Sequence, residues 1–338
     1  MEKDMQYSVL QRERRFSVSD RVTFLVLLMA AALPLLTSNI LVQSVASQAL
    51  IGFCGALAVH LMLRLGLLNF SVPGFMAVGG YAAAIAAEYG IQDLFALLGI
   101  AFFAPVVLAI PIGWIVLRLK GVYFVLVTYL LTEIIQLVIV ETPSLTGGTN
   151  GLIGFPPTTL FGTGLTSGPA VYYTCYAAAV VALIVALWST RSYGDIYDSQ
   201  AHNETLAQSL GLDTGRYKAQ AFAVSAGVAG LGGFALVQLL ITAHPLSFTA
   251  ASSVNYIAYV LIGGAASLLG ALLGTVVLVT AITQFSWSGE YSLGLFGLLL
   301  IFSVLFMRDG VVGVFTNIAH SIRGRNEVAY PATQGDPT

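Results

Sequence analysis

Few side chains in this chain can do chemistry, and the densest group of them sits inside one apolar run. Tyr129, Thr132, Glu133 and Gln136 recur at i, i+3, i+4 and i+7, a spacing that lays them along one stripe of a helix whose other faces are apolar. Lipid cannot solvate such a stripe, so it is expected to face other helices or water. Glu133 is its acid, and a carboxylate at that depth serves either a buried hydrogen-bond cluster or a pathway. Close behind comes a Gly- and Thr-rich stretch beginning Thr146, Gly147, Gly148, which together with the stripe makes the candidate wall or gate of a translocation pathway.

Other chemistries find little support. No G-x-x-x-x-G-K-[ST] occurs, so the chain has no P-loop of its own to cradle ATP, and serine or cysteine hydrolase signatures are missing too. Gly230-Leu-Gly232 is half of a dinucleotide pattern within an apolar run, where helix packing is the expected role. Cys54 and Cys175 lie in apolar runs and should behave as small hydrophobes, neither disulfide partners nor ligands. His60 and His244 are expected to be hydrogen-bonded structural residues. The chain is thus expected to be no enzyme and to hold no cofactor or metal. Its net charge of −2 argues against a nucleic-acid partner.

The elements that must position these residues are membrane helices. The 338 residues are 57% hydrophobic and only 9% charged, against about 25% charged in soluble domains. Counted against the roughly 20 residues needed to cross a bilayer, the apolar runs give ten spans. They are Val22–Val42, Ser44–Leu63, Ser71–Ala87, Leu94–Leu117, Val122–Val140, Ala170–Trp188, Ala219–Thr242, a split of the overlong Val254–Phe285 at Gly263–Ser267, and Tyr291–Met307. Glycines at 74, 79 and 80, at 227, 230 and 233, and at 270 and 274 predict close helix contact. The basic start, Arg12, Arg14, Arg15 and Arg21, is read as the leader of an uncleaved first helix.

The predicted organisation is a cytoplasmic leader (1–21), a transmembrane domain (22–307) and a cytoplasmic tail (308–338), with an irregular extracytoplasmic segment at 141–169 and a cytoplasmic loop at 190–218. With the N-terminus inside, all 14 Lys and Arg fall on the cytoplasmic side. Glu88, Asp93, Glu141 and Glu290 fall outside. Within 190–218 the sequence predicts a short helix from Asp198 to Leu210, capped by Asp198 and ended by Gly211, with Leu206, Ala207 and Leu210 on one face. Such a helix packs on its own protein, on lipid headgroups, or on a cytoplasmic partner.

Several segments together resemble one family, the LivM-type permease subunits of ABC importers for branched-chain amino acids. Arg118-Leu-Lys-Gly-Val-Tyr-Phe-Val-Leu-Val-Thr128, Glu133-Ile134 and Ser144-Leu-Thr-Gly-Gly-Thr-Asn-Gly-Leu152 are similar to the family's RLRGxYFAxxT, EI and LTGGxxGL block. Asn203-Glu204, Leu210-Gly211 and Arg216-Tyr-Lys218 resemble its NE, LG and RxK loop, and Leu261–Gly270 resembles its VxGGxGSLxGP segment. The chain departs from the pattern at Asp195 and Gln200, where basic residues are usual, and at Phe70–Phe75, which lacks the histidine of SLGHGAF.

The resemblance implies an all-α polytopic fold with both termini cytoplasmic and spans two to five and seven to ten as inverted repeats. It also implies uptake of branched-chain amino acids or a related small amino acid or amide. Its implied partners are a second homologous permease, two cytoplasmic subunits carrying ATP and Mg, and an extracytoplasmic solute-binding protein, in the lipid of a bacterial or archaeal plasma membrane. Glu204, Leu206, Leu210 and Gly211 become the expected contact with the ATP-binding subunit. Two alternatives stay open: a secondary transporter using Glu133, and an ABC permease for urea, short amides or aromatic acids.

Overall fold

A computed structural model describes residues 18–37, 39–265, 267–286 and 297. Apart from Gly297, the expected span Tyr291–Met307 lies outside the described residues, as do the tail from Arg308, Glu290 and most of the leader. The helices are α1 (Val18–Ala30), α2 (Leu33–Leu36), α3 (Ile40–Leu63), α4 (Val72–Glu88), α5 (Leu94–Val116), α6 (Val122–Glu141), α7 (Pro143–Thr146), α8 (Gly168–His202), α9 (Glu204–Ser209), α10 (Thr214–Leu240), α11 (Ser252–Gly263) and α12 (Leu268–Ser286). Two small antiparallel ladders accompany them: β1 (Leu152–Ile153) with β4 (Thr242–Ala243), and β2 (Thr159–Leu160) with β3 (Thr163–Gly164). Among the described residues six helical segments are long and apolar enough to cross a membrane, the last combining the turn from Pro245 with α11. Two more, α4 and α12, are apolar but shorter. This is a multi-pass helical membrane protein.

The expected first span is not continuous. α1 stops at Ala30, four residues before Pro34, whose ring would clash with that carbonyl and which has no N–H to bond to it. A fresh helix then starts at Ile40, capped by Asn39 accepting from the Leu41 N–H. The sixth span also differs. α8 does not end near Trp188 but runs 35 residues to His202, so half of the expected loop is helix. Asp198 therefore caps nothing, and instead pairs in bidentate fashion with Arg64. Gly194 makes room for that arginine, since a Cβ there would lie 2.9 Å from Arg64 Nη1. The predicted split of Val254–Phe285 is present, with Gly264 at φ +113° after α11.

α3 and α10 form the centre and are mostly buried, whereas α5 and α6 are flanking helices with most of their residues uncovered. Small residues let α10 reach its neighbours at backbone distance. A Cβ on Gly233 would overlap the Met76 carbonyl, and one on Gly230 the Ala101 carbonyl. Gly79 faces Gly230 in the same seam. Gly263, Gly270 and Gly274 do likewise where α11 turns into α12.

Charged pairs collect at one end of the bundle: Arg191 with Asp20, Arg64 with Asp198, and Glu204 with Lys120 and Lys218. The start of α1, the end of α3, the α5–α6 turn, the end of α8 and the start of α10 therefore share one end. The β1–β4 ladder, and the Thr159 N–H that donates to Gln92 O just before α5, mark the other.

Candidate functional site

The stripe on α6 divides on folding. Thr132 is buried and its hydroxyl donates to the Phe70 carbonyl at 3.1 Å. Gln136 is half-buried and its Nε2 donates to Pro245 O at 2.9 Å. Tyr129 and Glu133 are exposed, on a face shared with Leu126, Leu130, Ile134 and Leu137. Two members thus hold the protein together, while the carboxylate stands on an outer, otherwise apolar surface of the chain.

Phe70 is where the interior polar chemistry gathers. It lies in the non-helical stretch before α4, where no helical ladder supplies partners for its backbone groups. Its N–H donates to Thr128 Oγ1 at 3.2 Å, and its carbonyl accepts from Thr132 and, at 2.7 Å, from Ser253 in the first turn of α11. Asn69 beside it is fully buried and accepts from the N–H and hydroxyl of Ser71. The starts of α4 and α11, both preceded by irregular backbone, therefore meet at one point. Interrupted helices joined inside the bundle are the usual framework of a transport pathway. Thr128, Phe70 and Ser253 were not among the candidate site residues; Thr128, one turn before Thr132 on the same helix, was the available signal.

Thr146, Gly147 and Gly148 form a tight knot after α6. Thr146 Oγ1 donates to the Ile139 and Thr142 carbonyls and accepts from the Gly148 N–H. Gly147 and Gly148 have φ +74° and +61°, a left-handed conformation that strongly favours glycine. Their arrangement closes the C-terminal end of α6 against the β4 region, where Gly151 abuts the Ala243 carbonyl.

At the charged end, α9 is a six-residue helix whose cap is Asn203, Oδ1 accepting from the Leu206 N–H at 3.0 Å. Gly211 has φ +87° and ends the helix as the sequence predicts, with the Leu212 N–H donating back to Ala207 O. The expected apolar face divides: Ala207 is buried, while Leu206 and Leu210 are 57% and 76% exposed. Glu204 turns inward, accepting from Lys218 Nζ at 2.6 Å and Lys120 Nζ at 2.8 Å. Partial burial favours its neutral form, but hydrogen bonds and charge from Lys120 and Lys218 outweigh this and hold its pKa below the ordinary glutamate value. His244 caps the Pro245–Phe248 turn by accepting from the Leu246 N–H, and Cys54 and Cys175 are buried and free, each the structural role the sequence suggests.

Apolar helices of spanning length, two of them preceded by irregular backbone where they meet, are the architecture of a multi-pass membrane protein. The sequence places it further. A family described as the branched-chain amino acid transport system permease component matches residues 41–304, and the chain belongs to that family. It functions as a permease subunit. It is similar to the high-affinity branched-chain amino acid transport system permease protein LivM of Escherichia coli (strain K12), 29% identical over 313 residues that cover 85% of this chain and 73% of that protein. The protein of the same description from Salmonella typhimurium (strain LT2) is 28% identical over the same shares. No solved structure matches.

Proposed function

We propose that this permease subunit forms half of the membrane pathway of an ABC importer for branched-chain amino acids, set in a plasma membrane beside a second homologous permease. The observation that carries this reading is α9: a six-residue helix capped by Asn203 and tied through Glu204 to its own protein, yet presenting Leu206 and Leu210 to solvent. A packed helix with an uncovered apolar edge suits a protein dock. On this reading Leu206 and Leu210 meet one of two cytoplasmic ATP-binding subunits, which hold ATP and Mg, Gly211 sets the helix end, and Glu204 braces the helix from behind. The clustering of Arg64, Lys120, Arg191 and Lys218 at that end supports a cytoplasmic placement.

The exposed α6 face then lies against the second permease, with Tyr129 and Glu133 on the solute's route and Thr132 and Gln136 fixing the helix behind them. Glu133 supports this, because a carboxylate on a lipid-facing surface is costly. Thr146, Gly147 and Gly148 shape the outer mouth, where a solute-binding protein would deliver its cargo. Affinity for the solute resides mainly in that binding protein.

The test is energy dependence. Leucine uptake into proteoliposomes holding the assembled complex should require ATP inside the ATP-binding subunits' compartment and ignore an imposed proton gradient. Uptake driven by the gradient without ATP would instead establish a secondary transporter.

A further inference from the structure

An isolated helix of six residues is not stable in water, so α9 keeps its shape through its surroundings. Gln208 Nε2 donates to Thr214 Oγ1 at 2.8 Å, and Asp213 caps α10 by accepting from the Arg216 N–H at 3.1 Å. Together with the Asn203 cap and the Leu212–Ala207 bond, these make α9 and the start of α10 one body. Glu204 adds a third element. Its Oε1 takes Lys218, in the opening turns of α10, and its Oε2 takes Lys120. Lys120 immediately precedes Gly121, which at φ +57° leads into α6. A single carboxylate therefore joins the exposed helix to the central helix and to the residue just before the cap of the flanking helix that carries Glu133.

The two bonds differ in character. The Lys218 side chain is 8% exposed and Glu204 22%, so breaking that pair leaves a buried ammonium without a counter-charge. The Lys120 side chain is 70% exposed, so its pair is the weaker and can be removed without disturbing the fold. α6 is largely uncovered along its length, and its Thr128, Thr132 and Gln136 side chains bond backbone groups of Phe70 and Pro245. A tie at its start therefore has leverage on the whole helix.

We infer that Glu204 is a positioning residue, linking movement of α9 to α6 through Lys120 so that displacement of the dock shifts the Glu133 face. The inference rests on the reading of α9 as the dock for the ATP-binding subunits. It assigns Glu204 to transmission within this chain and leaves intersubunit contact to Leu206 and Leu210. The partner of Glu204 across the turn, Lys120, becomes part of the coupling machinery although it touches neither ATP nor solute.

The measurement is leucine transported per ATP hydrolysed by the assembled complex in proteoliposomes. Lys120→Met should lower that ratio by about two- to fivefold, the range open to one exposed ion pair, with assembly and leucine-independent hydrolysis unchanged, and Lys120→Arg should restore it. Added to Glu204→Gln, which already removes the charge that Lys120 pairs with, Lys120→Met should cause little further loss. A wild-type ratio in Lys120→Met, or fully additive losses, would overturn the inference. Leu210→Asp tells this failure from failure of the docking reading. If Leu210→Asp uncouples hydrolysis while Lys120→Met behaves as wild type, the link alone is wrong; if Leu210→Asp keeps the ATP-binding subunits bound and leucine-stimulated, the dock is wrong and the link falls with it.

Discussion

The hydroxyl of Ser253 donates a 2.7 Å hydrogen bond to the backbone carbonyl of Phe70, 183 residues earlier in the chain. The bond ties the first turn of α11 to the break before α4, and Thr132 shares the same acceptor. Ser253→Ala should cost about 1 kcal/mol, the net value of one such bond. Ser253→Ala with Thr132→Val leaves the carbonyl without either hydroxyl and should cost more than the sum of the two. Unfolding of the purified protein in mixed detergent micelles gives these values, and strict additivity would show that the two hydroxyls do not share one role.

Glycines in the central seam should divide sharply from those elsewhere. A Cβ on Gly233 would overlap the Met76 carbonyl, whereas nothing lies within 4 Å of one on Gly99. Gly233→Ala should therefore push α10 away from α4 and abolish a monodisperse fold. Gly99→Ala should be tolerated or should stabilise by about 0.5–1 kcal/mol. Size-exclusion profiles of the two variants compare them directly, and a well-behaved Gly233→Ala protein would refute the backbone contact.

Much of this was legible in the sequence because lipid imposes a simple length rule. The helices at 72–88, 94–116 and 122–141 and the break near Gly263–Ser267 follow from apolar runs and their interruptions. Gly211 was legible too, since few residues besides glycine end a helix at φ +87°. The errors have local causes. Pro34 broke a run that hydropathy alone treats as continuous, and α8 carried a polar sequence onward because Arg64 and Asp198 secure it from another helix. The stripe on α6 was real in spacing, but which of its members face inward depended on Phe70 and Pro245, partners far away in sequence.

Acid should loosen the charged end in a defined direction. The folded pKa of Glu204 lies below its ordinary value, so its ion pairs stabilise the protein fully above the ordinary glutamate pKa. That contribution is lost as pH falls from there through the lower folded value. The difference in thermal stability between the wild type and Glu204→Gln should be flat through neutral and mildly acidic pH and shrink only below the ordinary glutamate range. A difference that changes near neutrality would point to another titrating group.

The two ends of the bundle should be accessible from opposite sides of the membrane. Ser199 on α8 and Thr163 in β3 are both exposed, and the native Cys54 and Cys175 are buried. Single cysteines at these two positions should react with an impermeant maleimide from the cytoplasmic and the outer face respectively. Labelling of both from one side would contradict the arrangement.

The pathway itself is tested most directly at Glu133, exposed on α6 among Leu130, Ile134 and Leu137. Glu133→Gln keeps shape and hydrogen-bonding capacity while removing the charge. In the assembled complex, ATP-driven leucine uptake should fall severalfold, while subunit assembly and leucine-independent hydrolysis stay at wild-type levels. Wild-type uptake by a correctly assembled Glu133→Gln complex across the near-neutral pH range would contradict a pathway along this face.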